Sequence, residues 1–259
     1  MFTTMLLASA LLAANADSVS RCCTNVELRQ YTVVPGKRDA FIPLFENEFI
    51  DTQEALGMRV IGQFRDLDDP NHFVWLRGST DMPSRAKQLQ EFYFGPVWKA
   101  HREEANAFFT DTDNVLLLRA PATAAQLDLS RATRAPKGAS ENPNGALIAT
   151  IYYFDSPVSA NFVHSFDTTL APALRKSGIT PIAHFVSETE PNNFPKLPVR
   201  ETDHVFVWFA MYADIADYEK HRDAFFASSK KLADTMQRQF VKPPQILRLT
   251  PTPRSLLHR

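Results

Sequence analysis

The residues of this sequence that are best suited to chemistry lie in the segment "NVELRQYTVVPG", residues 25–36. Glu27, Arg29 and Tyr31 occupy alternate positions, so in a β-strand a carboxylate, a guanidinium and a phenol would share one face. Arg29 could hold an anionic or enolate oxygen while Glu27 orients it and Tyr31 donates a hydrogen bond, which would suit a small carbonyl or phenolic ligand. A face that points to solvent, or an ion pair across a domain seam, would explain the same pattern without a site.

The chain also contains an internal repeat. Tyr31 aligns with Tyr152 at an offset of 121 residues, and Trp75 aligns with Trp208 at an offset of 133. The extra 12 residues fall in "ETEPNNFPKLPVRE", residues 188–201, whose proline and asparagine content is typical of a loop. Each repeat is about 100 residues long, which is the size of a small domain and indicates a domain duplication.

Hydrophobic spacing predicts the order strand, helix, strand, strand, helix, strand in each repeat. The order βαββαβ is that of ferredoxin-like domains, whose helices cover one face of an antiparallel sheet. The fold class is therefore α+β, and we expect the two tandem domains to bury their bare sheet faces against each other. The predicted divisions are a signal peptide over residues 1–16, a first domain over 25–120, a linker over 121–145, a second domain over 146–250 and a tail over 251–259.

The first repeat resembles the NIPSNAP family. The resemblance is carried by "VELRQYTVVPG", "FENEFIDTQEALGMRVIGQF", "HFVWLRG" and "FYFGPVWKAHR", and it is good over residues 25–120 and weak over 146–250. It implies the dimeric α/β-barrel form of the ferredoxin-like fold, here built within one chain. It implies little about chemistry, because the wider superfamily includes cofactor-free monooxygenases, haem enzymes, isomerases and members without an assigned activity.

The two repeats differ at the positions that carry charge. Glu27 and Arg29 align with Ile148 and Thr150, so the second repeat lacks the ion pair, and Gln63 aligns with His184. A lone histidine on a strand could be a haem ligand or a base, and the two tryptophans could wall a ligand cavity, although core packing would explain the same residues. The candidate ligand-binding residues are Gln63, Trp75, Tyr152, His184 and Trp208.

Composition excludes several classes of function. The 28 basic and 29 acidic residues nearly cancel and form no basic run, so we expect no nucleic-acid partner. No apolar stretch in the body of the chain is long enough to span a membrane. Metal-ligand spacing and glycine-rich phosphate loops are missing from the sequence, so we expect no metal and no cofactor.

The N-terminus indicates export. "MLLASALLAA", residues 5–14, precedes Ala14-Asn15-Ala16, the small-residue pattern that signal peptidase cleaves, although no Lys or Arg precedes it. We expect a periplasmic or secreted protein, with a cytoplasmic one as the alternative. Cys22 and Cys23 are adjacent, a spacing at which a mutual bridge is strained, so buried thiols or an intermolecular disulfide are expected.

The sequence therefore leaves two classes of function. The first is a barrel protein of unassigned activity that binds a small apolar or aromatic ligand or a protein partner, as a monomer with an internal pseudo-dimer or as a homodimer. The second is a cofactor-independent monooxygenase or isomerase acting on a small aromatic or carbonyl compound. In that case Glu27 would be the general base, because it is the one strand carboxylate placed for that role.

Overall fold

Two runs of strands and helices in the order βαββαβ make up most of the chain. The structure is a computed structural model that describes residues 21–259. The strands are β1 (Arg21–Cys22), β2 (Asn25–Val33), β3 (Arg59–Asp66), β4 (His72–Ser79), β5 (Phe109–Asp111), β6 (Val115–Arg119), β7 (Leu127–Asp128), β8 (Ala146–Phe154), β9 (Pro181–Ser187), β10 (His204–Tyr212) and β11 (Gln245–Pro251). The helices are α1 (Arg38–Leu44), α2 (Ile50–Ala55), α3 (Met82–Tyr93), α4 (Pro96–Asn106), α5 (Ala160–Ser165), α6 (Ala171–Lys176) and α7 (Ile215–Gln237).

Helix boundaries follow local signals in the sequence. The Asp81 and Asp214 carboxylates cap α3 and α7 by accepting hydrogen bonds from backbone N–H groups three residues on. Gly57 and Gly178 adopt left-handed backbone angles just after α2 and α6, where a glycine is favoured. Between α1 and α2, and again between α5 and α6, the chain forms a π-helical segment, Phe45–Phe49 and Phe166–Leu170.

Eight strands close into a barrel. Their order is β4-β3-β11-β8-β10-β9-β6-β2, and β2 pairs back to β4, while β5 adds to the end of β2. All these pairings are antiparallel, and the two halves join where β11 pairs with β3 and β9 pairs with β6. The predicted face-to-face packing of two sheets is thus realised as a closed barrel whose halves share edge hydrogen bonds, which leaves none of these eight strands with a free edge.

Strand alternation divides the side chains between the inside of the barrel and its helix-covered outside. On β2, Val26 and Leu28 join one apolar cluster with inward residues of both halves, including Leu147 and Val207. The outward residues form two further clusters, one beneath the helices of each half. The barrel interior is therefore a filled hydrophobic core.

Two features near the ends of the described chain correct or extend the sequence predictions. Cys22 and Cys23 form a disulfide with each other, joined by a cis peptide bond, so neither the free thiols nor the intermolecular bridge is present. Within the predicted tail over 251–259, residues 251–257 are buried against the rest of the protein. The predicted signal peptide, residues 1–16, lies outside the described residues. Among the described helices, none has the length and apolar character that a membrane crossing requires.

A fragment of residues 17–125 expressed alone should self-associate. Without the second half, β3 and β6 lose their edge partners and the apolar inner face of the sheet becomes exposed. Light scattering coupled to size-exclusion chromatography measures the mass of the fragment, with the full chain as the control. A fragment that stays monomeric and soluble would contradict this account of barrel closure.

Candidate active site

Three arginines surround the carboxylate of Glu27. Arg29 Nη1 and Arg77 Nη2 each lie 2.5 Å from Glu27 Oε2, and Arg85 Nε lies 2.7 Å from Oε1. All four side chains are at most 3% exposed. Three positive charges therefore face one negative charge in a buried environment, a formal net charge of +2.

Two strands and one helix bring the cluster together. Because β2 alternates, Glu27, Arg29 and Tyr31 point out of the barrel, toward the helices and away from its interior. The register of β4 places Arg77 opposite Glu27 and Trp75 opposite Arg29. Arg85, the fourth residue of α3, reaches the same carboxylate from the helix.

Each arginine has a second, uncharged partner. Arg29 Nε donates to Tyr31 Oη at 2.7 Å, and Arg77 Nη1 donates to Gln53 Oε1 at 2.9 Å. Arg85 Nη1 donates to Asn193 Oδ1 at 2.7 Å and to Asn192 at 3.1 Å. The buried Arg85 Nη2 has no hydrogen-bond partner among residues 21–259. Neutral oxygens thus accept hydrogen bonds from guanidinium N–H groups that the single carboxylate does not bind.

Burial and charge fix the protonation states. Burial alone would raise the pKa of Glu27, but the charges of Arg77, Arg29 and Arg85 outweigh it and hold the pKa well below its usual value of 4.5. Burial raises the pKa of Tyr31 to about 12, although the Arg29 charge opposes it. At neutral pH Glu27 is therefore ionised and Tyr31 keeps its proton. A carboxylate held this firmly in its charged form is poorly suited to act as a general base.

An aromatic cavity adjoins the cluster. Its volume is about 30 Å³, room for little more than a water molecule. The lining residues are Tyr31, Phe41, Phe45, Phe49, Gln53, Trp75, Phe92, Tyr93, Trp98, Ala105 and Phe109. The guanidinium carbons of Arg29 and Arg77 lie 5.5 and 5.1 Å from the centre of the Trp75 ring, within cation–π range. The buried Trp75 Nε1 has no partner in the described chain.

The loop of residues 188–201 covers the cluster from the second half. Besides the contacts to Arg85, Asn193 Nδ2 donates to the Met82 carbonyl oxygen at 2.6 Å. The Phe194 ring stacks on Tyr93 with centroids 5.9 Å apart and joins the same apolar cluster. This loop of the second half is therefore part of the site in the first half.

The predicted site residues fall on two separate faces. Glu27, Arg29, Tyr31 and Trp75 come together as described. Gln63 lies opposite Trp75, but its Nε2 donates to Glu46 Oε1 at 3.2 Å, and it does not line the cavity. The other three candidates, Tyr152, His184 and Trp208, share the outer apolar cluster of the second half or pack on it. None of the eight lies in the core inside the barrel.

Sequence reasoning missed Arg77, Arg85, Asn192 and Asn193. One signal was available for Arg77, which follows Trp75 by two positions and so shares its face of the strand. Arg85 carried no such signal, because its contact to Glu27 spans 58 residues. No three His, Cys, Asp or Glu side chains in the described chain converge as metal ligands would.

Replacing Glu27 should destabilise the protein more than replacing any one arginine. Glu27→Gln leaves three buried guanidinium groups without a counter-charge, and we expect a loss of about 3 to 5 kcal/mol in the free energy of unfolding. Arg29→Ala leaves Glu27 paired with Arg77 and Arg85, and should lose about 1.5 to 3 kcal/mol. Urea unfolding measures both, with Glu103→Gln on the exposed surface of α4 as the matched control. An equal loss for both variants would refute the central role of Glu27.

The Glu27→Gln difference should also depend on pH. Because the folded pKa of Glu27 lies below its unfolded value, its contribution is present above the unfolded pKa and is lost as pH falls toward the folded pKa. The gap in unfolding free energy between wild type and Glu27→Gln should therefore narrow between about pH 6 and pH 3. A gap that stays constant over this range would mean that the Glu27 pKa is not depressed by folding.

Comparison with known proteins agrees with the fold. The NIPSNAP family profile matches residues 26–123. A candidate monooxygenase from Fusobacterium nucleatum is 11% identical, with 90% of this chain and 94% of that chain covered at a TM-score of 0.52. A candidate monooxygenase from Lactobacillus acidophilus is 12% identical, with 88% and 94% covered at a TM-score of 0.50.

An uncharacterized NIPSNAP domain protein from Burkholderia xenovorans is 22% identical, with 38% of this chain and 94% of that chain covered at a TM-score of 0.35. A search of curated proteins found no match. At such low identities the full-length likenesses show a shared α/β-barrel fold and leave the activity open. The family match spans β2 to β6 and includes Glu27 and all three of its arginines, so residues 26–123 of this chain match the NIPSNAP family.

Proposed function

We propose that the outer face of the first half binds a small aromatic ligand that carries an anionic oxygen, such as a phenolate or a carboxylate. One observation carries the proposal: a buried carboxylate shared by three arginines lies beside a cavity walled by aromatic rings. Aromatic walls favour a ring, and the excess positive charge favours an anion.

The charge balance supports an anionic ligand. Burying ionised groups is unfavourable unless they are paired, and the cluster holds two more cations than anions. Two buried donors, Arg85 Nη2 and Trp75 Nε1, lack partners among residues 21–259. An anion in the cavity would offset the charge and could accept from Trp75, which lines the cavity.

Arg29 and Tyr31 would orient the ligand oxygen. In the described chain the Tyr31 hydroxyl accepts from Arg29 and donates to no other residue. Because the pKa of Tyr31 is raised to about 12, the hydroxyl can donate at neutral pH to a ligand in the cavity that it lines. In this arrangement Glu27 holds the arginines in place and does not itself contact the ligand.

Ligand entry requires the cavity to open. Ligand pockets usually measure about 300 to 1,000 Å³, whereas this cavity measures about 30 Å³. The wall formed by α4 is the part best able to move, because Ala105 is its one buried residue and Gly95-Pro96 separates it from α3. We infer that Trp98, a half-buried residue of α4, moves outward when a ligand binds.

The alternative of a cofactor-independent monooxygenase or isomerase would use the same oxyanion-binding groups. The names of the two full-length structural relatives suggest oxygenation for those proteins. Such a reaction needs a base near neutral pH, and the polar residues that line the cavity are Gln53, Tyr31 and Tyr93. Glu27 does not meet the need because its pKa is depressed, so we favour binding over base catalysis.

We also propose that the chain arose by duplication of a ferredoxin-like domain, with units at residues 25–120 and 146–250. The strand registers support this: Trp75 lies opposite Arg29 and Gln63, and Trp208 lies opposite Thr150 and His184, the residues predicted to correspond. The duplicated units differ most where the first carries charge, which is expected if one copy kept a site and the other became scaffold.

Export is a further part of the proposal, with cleavage after Ala16. Disulfides persist mainly in oxidising compartments, and the Cys22–Cys23 bridge agrees with a periplasmic or secreted location. Mass spectrometry and N-terminal sequencing of protein secreted by a bacterial host should give Asp17 as the first residue. An intact Met1 on that product would reject the cleavage.

The ligand proposal is tested with 2-naphthoate and its neutral analogue 2-naphthalenemethanol. Calorimetric titration of the full chain should show the anion binding at least about tenfold more tightly than the alcohol. Arg29→Met removes the guanidinium proposed to orient the ligand oxygen and lowers the net charge of the cluster, while Glu27 stays paired with Arg77 and Arg85. We expect this variant to fold and to lose most of the preference for the anion.

Trp75→Phe should weaken binding of 2-naphthoate, and Trp208→Phe, the matched change in the other half, should leave it unchanged. Equal binding of the anion and the alcohol, or equal sensitivity to the two tryptophan changes, would reject the proposed site. Failure of both probes to bind wild type at millimolar concentration would reject the ligand class.

A further inference from the structure

In each half, an acidic residue on the π-helical segment lies next to a polar residue of a strand. In the first half, Glu46 on the π-helical segment accepts from Gln63 Nε2 at 3.2 Å. In the second half, Asp167 on the corresponding segment has its Oδ1 3.6 Å from His184 Nε2. Asp167 follows Glu46 by 121 residues, and His184 follows Gln63 by the same number. Gln63 lies opposite Trp75, and His184 lies opposite Trp208.

In the first half, the C-terminal segment covers this pair and donates hydrogen bonds to Glu46. Glu46 Oε1 also accepts from Thr252 Oγ1 at 2.7 Å and from the Arg254 backbone N–H at 2.8 Å. The Arg254 guanidinium donates to the Glu46 carbonyl oxygen and to Asp51 Oδ1, and the residue is 4% exposed. The chain itself therefore fills the space beside Glu46.

The corresponding segment in the second half leaves that space open. Leu249 of β11 pairs with Asp66, and Leu118 of β6 pairs with Ser187, so the segments after these two strands occupy matching places. By this register, Thr123 stands where the first half has Arg254. The segment there is the small-residue stretch "PATAA", residues 121–125, and beside it lies a cleft of about 300 Å³. That volume is at the lower end of the range for ligand pockets.

Three polar side chains line the cleft among mostly apolar neighbours. His184 is 9% exposed, and its buried Nε2 has no hydrogen-bond partner in residues 21–259. Burial lowers the pKa of His184, so its imidazole is neutral at neutral pH. Asp167 is half exposed, and Arg175 has no ion pair or side-chain hydrogen bond to any described residue. The corresponding position in the first half is Glu54, which pairs with Arg134 at 2.7 Å.

We propose that this cleft binds a small aliphatic zwitterion, with its ammonium group at Asp167 and His184 and its carboxylate at Arg175. In the first half the chain itself supplies donors to the acidic position, because the Glu46 carboxylate accepts from the Thr252 hydroxyl and the Arg254 backbone N–H. A ligand ammonium group would supply the corresponding donors to Asp167. The exchange of Glu54 for Arg175 reverses the charge at the other end, which calls for a ligand anion there. The alanine, proline and valine side chains between them suit a chain of methylene groups.

The probes are ω-amino acids from 3-aminopropanoate to 8-aminooctanoate, with hexanoate and hexylamine as singly charged controls. Calorimetric titration of the full chain should give an optimum at one chain length, at least about tenfold tighter than either control. Asp167→Asn and Arg175→Met should each weaken that optimum about tenfold or more, and Lys176→Met, next in sequence but not in the lining, should not.

Another variant fills the cleft and keeps Asp167 and Arg175. Ala124→Arg places a guanidinium in the lining itself, next to the position that matches Arg254, and should abolish binding while preserving the melting temperature. The proposal is wrong if no zwitterion binds more tightly than hexanoate, if Lys176→Met weakens binding as much as Arg175→Met, or if Ala124→Arg binds the probes as wild type does. The 2-naphthoate site in the other half is unaffected by these changes, so the two proposals fail independently.

Discussion

Pairing of buried charge is the constraint on which the first half of this protein depends. One carboxylate, Glu27, receives three guanidinium groups from β2, β4 and α3, and the arginines in turn bind oxygens from α2 and from the loop of residues 188–201. Displacing any of these segments leaves a charged group in an apolar environment. The cluster therefore joins five segments of the fold through buried polar contacts.

Both halves pack helices on the outer face of the sheet, but they use different side chains to do so. At the positions of Glu27 and Arg29 the second half has Ile148 and Thr150, and it needs no ion cluster to pack its helices. In the first half the C-terminal segment covers Glu46 and donates hydrogen bonds to it. In the second half Asp167 lies beside an open cleft. A single sheet framework thus supports one closed, charged face and one that is apolar and partly open.

The sequence predicted the order of strands and helices because the spacing of hydrophobic residues is a local signal that distinguishes a strand from a helix. It also placed Glu27, Arg29 and Tyr31 on one face. It could not show which side of the sheet that face lies on, because both faces of β2 are buried, one in the barrel and one under helices. Nor could it find Arg85 or Asn193, whose contacts join residues 58 and 108 positions apart.

The packing of the C-terminal segment has a consequence for synthesis. Glu46 meets Thr252 across 206 residues, so at about 5 to 20 residues per second a ribosome makes the two groups roughly 10 to 40 s apart. During that interval the first half lacks the β11 partner of its β3 edge and the last partners of the Glu46 carboxylate. An unpaired strand edge can pair with another chain, so the unfinished first half is the part of the nascent protein most open to misassembly.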